Sequence, residues 1–72
     1  MSPNKEQKDK EIRFNKHCGI RLRNLRCKNG YTQTDLANVL GYSFQQVQKY
    51  EKGHNGMSGF VVGVLTNFLK VN

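Results

Sequence analysis

A helix that starts at Phe44 and turns about 100° per residue sets Gln45, Gln48, Lys49 and Lys52 on one side, with Val47 and Tyr50 on the other. The outer side is rich in amides and positive charge. A glutamine can form two hydrogen bonds to N6 and N7 of adenine, and a lysine can reach O6 and N7 of guanine or a phosphate oxygen. Phe44, at the first helical position, can lie against a thymine methyl group. Phe44, Gln45, Gln48 and Lys49 are therefore candidate readers of base edges, and Lys52, His54 and Asn55, which follow, are candidates for the phosphate backbone. Most polar stripes on helices are simply solvated faces. The stripe gains meaning only from the elements that hold it.

Those elements are marked by one repeated local code: an apolar residue, a Ser or Thr, then an apolar residue five positions after the first. It occurs at Tyr31, Thr32 and Leu36, at Tyr42, Ser43 and Val47, and at Met57, Ser58 and Val62. Each instance predicts an N-cap inside a hydrophobic staple. Asp35 and Gln46 stand where a side chain can return to the capping residue's amide. Helix two then runs from Gln33 to about Leu40, and Gly41, Tyr42 and Ser43 leave three residues before helix three. So tight a turn forces two short helices to cross steeply. Gly41 permits a positive φ there, Ala37 lets the backbones approach, and Leu36, Leu40, Val47 and Tyr50 form the seam. Thr32 and Gln33, at the start of helix two, and Ser43, at the start of helix three, present free amides and a positive dipole end to a phosphate. Thr32 serves equally well as a plain cap.

Upstream, Phe14, Cys18, Leu22 and Leu25 recur at helical spacing, with Arg13, Lys16, Arg21, Arg23, Arg26 and Lys28 on the polar side. This predicts helix one, ending at Asn29 and Gly30. Gly19 inside it costs about 1 kcal/mol relative to alanine and leaves its start open. Residues 1–11 are charged and polar and read as a mobile tail, with residues 12–72 forming the folded domain. Helix four, SGFVVGVLTNFLKV, carries Phe60, Val61, Val62, Val64, Leu65, Phe68 and Leu69 around more than one face, while Gly59 and Gly63 weaken it. Apolar surface left uncovered implies a partner, most simply a second copy.

The 72-residue chain is short enough for one domain and one small core. Its formal charge is +7, with nine basic and three acidic side chains in residues 1–30, a balance of +6. Such an excess favours a polyanion. No apolar run approaches the roughly 18 residues of a membrane span, and the N-terminal stretch lacks the apolar core of a secretory signal, so a cytoplasmic protein without membrane contact is expected. Cys18 and Cys27 read as free thiols. Paired carboxylates, a phosphate loop, a nucleophile motif and metal-ligand spacing are all missing from the sequence, which points to a non-enzyme without metal, cofactor or small-molecule ligand.

The stretch Thr32 to Gly53, TQTDLANVLGYSFQQVQKYEKG, resembles the lambda-repressor-like family of Cro and XRE-type helix-turn-helix proteins. Gln33, Leu36, Ala37, Gly41, Ser43, Val47, Tyr50, Glu51 and Gly53 carry the likeness, Arg26 fits the end of the family's first helix, and the likeness covers about residues 17–71. It implies an all-α fold, a compact bundle of four short helices, or five, containing a helix-turn-helix. It implies that Gln33 clamps the DNA backbone and braces helix three, and that Arg26 and Glu51 form a structural ion pair. It further implies a sequence-specific transcriptional regulator, a repressor, that binds double-stranded DNA, while the uncovered face of helix four points to a homodimer through that helix. Two recognition helices would then stand about 34 Å apart on a palindromic site. The chain departs from the family where a fifth helix usually follows. The competing expectations are a protein-interaction module of antitoxin or coactivator kind, or a shortened remnant of a regulator.

Overall fold

The computed structural model describes residues 4–71, and among these the regular structure is entirely helical: α1 (Lys5–Lys28), α2 (Gln33–Leu40), α3 (Phe44–Glu51) and α4 (Gly59–Leu69). The all-α class is as expected. The three Ser or Thr caps stand where the sequence places them: Thr32 Oγ1 accepts from the Asp35 amide at 3.0 Å, Ser43 Oγ from Gln46 at 3.3 Å and Ser58 Oγ from Val61 at 3.3 Å. Asp35 returns its carboxylate to the Thr32 amide at 2.8 Å, closing a reciprocal box. Gln46 does not do the same for Ser43. Its side-chain amide donates instead to Asn55 Oδ1 at 3.2 Å, tying α3 to the loop beyond it. Gly41 ends α2 at φ 72°, and the Tyr42 amide turns back to the Ala37 carbonyl at 3.0 Å.

The core is small and central: Leu22 of α1, Leu36, Ala37 and Leu40 of α2, Val47 and Tyr50 of α3, and Val61, Leu65 and Leu69 of α4 are buried. The four seam residues Leu36, Leu40, Val47 and Tyr50 all belong to it. Tyr31 stacks on Phe68 with ring centroids 4.5 Å apart, joining the start of α2 to α4.

Helix α1 departs from expectation. Residues 5–11, assigned by composition to a tail, are helical, and residues 1–3 of that assignment lie outside the described residues. Asn4 caps the helix and exchanges hydrogen bonds with Gln7, 2.8 Å and 3.2 Å. The physical reason is that Lys, Glu and Gln are good helix formers even without burial, and Glu6 and Lys10 add an i, i+4 pair at 3.6 Å. At a rise of about 1.5 Å per residue the 24 residues span about 36 Å, nearly the whole 38 Å long axis of the molecule. Its first turns therefore run past the core. Phe14, placed by periodicity on the core face, is 66% exposed, because it precedes the stretch of α1 that packs closely on the end of α3, where Lys16 meets Gly53 and Gly19 meets Tyr50 and Glu51. Cys18 is half-buried at the edge.

Candidate nucleic-acid interface

Helix α3 is held from two sides and free on a third. Val47, Tyr50 and Glu51 face inward and are buried, whereas Phe44, Gln45, Lys49 and Lys52 are exposed and Gln48 is half-buried. No carboxylate stands among the exposed residues from Phe44 to Asn55. The face set out by helical spacing is thus the face left open to solvent. A helix such as α3 (Phe44–Glu51) is about 10–12 Å across with its side chains, a size that a major groove about 12 Å wide admits.

Glu51 fixes the inner side of α3. Its Oε2 accepts from Arg26 Nε at 2.6 Å, and its Oε1 accepts from Arg26 Nη2 at 3.0 Å and from Gln33 Nε2 at 3.1 Å. Arg26 Nη1 also donates to the Tyr31 carbonyl at 3.0 Å. One carboxylate, 4% exposed, therefore joins α1, α2 and α3. The paired, hydrogen-bonded geometry holds the Arg26 guanidinium above its ordinary pKa, with the Glu51 hydrogen bond outweighing the opposing effect of burial. A buried charge pair needs this degree of satisfaction to avoid a net penalty. Burial, with Tyr42 adding to it, likewise pushes the Tyr50 phenol up against a smaller opposing hydrogen bond from Gln46.

Thr32 is exposed beside the half-buried Gln33 at the start of α2, and Gln33, Gln48 and Lys52 line one cleft between α2 and α3. Ser43 and Phe44 open α3 on the solvent side. His54 and Asn55 are exposed in the following loop, where the His54 amide donates to the Lys49 carbonyl at 2.9 Å and Asn55 holds Gln46. The candidate phosphate residues thus stand at both ends of α3.

Spacing alone could not show how close α1 comes to α3. A Cβ on Gly19 would meet the Tyr50 carbonyl and would stand 2.5 Å from the Glu51 carbonyl oxygen. A Cβ on Gly53 would stand 2.7 Å from the Lys16 Cα. The only trace of this in the sequence is a glycine in the middle of a helix.

A sequence model of the helix-turn-helix family, of the Cro/C1 type, matches residues 22–72. The chain belongs to this helix-turn-helix family. Similar proteins include an uncharacterised HTH-type transcriptional regulator of Sinorhizobium fredii, 39% identical over 72 residues, which are 99% of this chain and 50% of the relative. A second, from Sinorhizobium medicae, is 38% identical over 66 residues, 92% of this chain and 48% of its own. A third, an uncharacterised transcriptional regulator in the ATPase CF(0) region of Rhodospirillum rubrum, is 48% identical over 42 residues, 58% of this chain and 39% of its own. The helix-turn-helix chain spans about half the length of the first two relatives. Among its described residues no helix is long and apolar enough to cross a membrane, and no group of three or more His, Cys, Asp or Glu is placed to hold a metal.

Proposed function

We propose that this helix-turn-helix chain is a sequence-specific transcriptional regulator that binds double-stranded DNA in the cytoplasm with α3 in the major groove. The observation that carries the proposal is the open face of α3: exposed Gln45 and Lys49 beside Lys52, free of carboxylates, on a helix whose inner side is clamped by Glu51, Arg26 and Gln33. Gln45, Gln48, Lys49 and Phe44 read bases. Thr32, Gln33, Ser43, Lys52, His54 and Asn55 contact phosphates from either end of the helix. Occupation of an operator by so compact a domain blocks polymerase, which makes repression the expected sign. The relatives' description as transcriptional regulators agrees with this reading. Replacing Gln45 or Lys49 by Ala lowers affinity for the best-bound duplex by about 1 to 3 kcal/mol and leaves affinity for random duplex little changed. Equal losses on all duplexes assign both residues to phosphates, and unchanged binding removes α3 from the groove.

A second copy is proposed to pair through α4. Phe60 and Val62, 63% and 43% exposed, flank its buried stripe about 200° apart. Val62 also borders an apolar groove of about 160 Å³ between α1 and α4, with Cys18, Leu25 and Met57 in its walls. Val62→Glu converts a sedimenting dimer to a monomer at micromolar concentration. A wild type that stays monomeric at high concentration contradicts the pairing.

A further inference from the structure

The cleft where α1, α2 and α3 meet is more positive than its own ion pair requires. It has a volume of about 530 Å³, with Arg23 of α1, Thr32 and Gln33 of α2, and Gln48 and Lys52 of α3 around it, and the Arg26–Glu51 pair among its walls. Glu51 supplies the single carboxylate of this cleft, and Arg26 already neutralises it through two hydrogen bonds. Asp35 does not line the cleft; its carboxylate turns to the Thr32 amide at the helix cap. Arg23 and Lys52 therefore leave an excess of two positive charges. Neither takes part in an ion pair among the described residues.

Two unpaired cations facing one open cleft repel each other, and a bound anion turns that repulsion into attraction. An arginine fork is suited to a phosphate, on which it can place two parallel N–H donors. We infer that Arg23 is a DNA-backbone contact: it and Lys52 bracket one phosphodiester at the mouth of this cleft, beside the groove that α3 enters. The inference rests on the DNA-binding reading and extends it to α1. Helix α1 then does more than support α3 through Arg26, because it reaches the backbone itself. Lys28, five positions beyond Arg23 and about 140° around the helix, lines the other side of α1 with His17 and Asn24 and lies off this path.

The test is titration of the full chain with a best-bound duplex and a random duplex between roughly 50 and 200 mM salt, for wild type, Arg23→Gln, Arg23→Lys and Lys28→Gln. Both glutamine variants lose the same single charge from exposed positions of one helix. Arg23→Gln is expected to weaken both duplexes equally and to make the dependence of log affinity on log salt less steep by about 0.9 for each copy bound. The wild type's advantage then shrinks about 3.5-fold per bound copy across that salt range. Arg23→Lys keeps most of the slope, and Lys28→Gln leaves it unchanged. Equal effects of Arg23→Gln and Lys28→Gln, or none from either, overturn the inference. Failure of the wild type itself to bind any duplex is a different result and removes the DNA reading beneath it.

Discussion

Replacing Gly19 by alanine separates two physical accounts of α1 by sign. Local helix propensity alone makes the change stabilising by about 1 kcal/mol, since alanine loses less backbone entropy than glycine. The packing says otherwise. The new Cβ would stand 2.5 Å from the Glu51 carbonyl oxygen, against 3.4 Å or more for ordinary contact. The atoms it meets are backbone, so neither side can rotate away. Helix α1 would have to lift from α3 by close to 1 Å, which loosens Leu22 and strains the Arg26–Glu51 bonds two turns further along. Overpacking of this kind costs about 1 to 3 kcal/mol. Its upper end applies to a rigid contact, so the net loss is about 2 kcal/mol, a large share of what a domain this small possesses. Gly63 of α4 is the control, because a Cβ there meets nothing within 4 Å and Gly63→Ala should gain about 1 kcal/mol. Urea unfolding followed by helical circular dichroism reads both. Gly19→Ala equal to or more stable than the wild type, with Gly63→Ala stabilised, refutes the close approach of α1 to α3.

Arg26→Met strands a Glu51 carboxylate that is 4% exposed and is expected to cost about 2 to 3 kcal/mol in the same assay. That is below the roughly 3 to 5 of a fully buried pair because Arg26 keeps some solvent. The double change Arg26→Met with Glu51→Leu should recover most of it. Val47→Asp places an unpaired charge at a fully buried position and should abolish the helical signal at 25 °C; a folded variant contradicts the packing of α3. Lys70 ends α4 at φ 54°, a left-handed conformation unfavourable for a side chain, so Lys70→Gly should stabilise by about 0.5 to 1 kcal/mol, read as a raised thermal midpoint.

Much of the fold is written in short-range chemistry, which is why it could be read from residue types. The Ser and Thr caps, the glycine turn and the apolar seam each involve partners within a few positions, and each stands where its pattern puts it. The failures have two sources. Helix α1 starts earlier than its charged composition suggests, because the Asn4 and Gln7 box caps it, a signal present in the sequence. Phe14 falls on the core side by periodicity alone, which gives the face of a helix and not how far the neighbouring elements extend beneath it. Gln46 stands at a capping position, but its amide has a partner nine positions away that local spacing cannot weigh. For the candidate site, the open face of α3 follows from its own periodicity. The place of Arg23 beside Lys52 does not, since it depends on how α1 crosses the start of α2 and the end of α3.

The most direct test of the DNA-binding account is selection of bound sequences by the purified chain from a random duplex pool. Enrichment of a defined site, whose preferred bases change with Gln45→Ala and Lys49→Ala, is the result expected if α3 reads the major groove. A pool that stays random through successive rounds, with binding that depends on salt alone, contradicts base reading by α3 and leaves only attraction to phosphate.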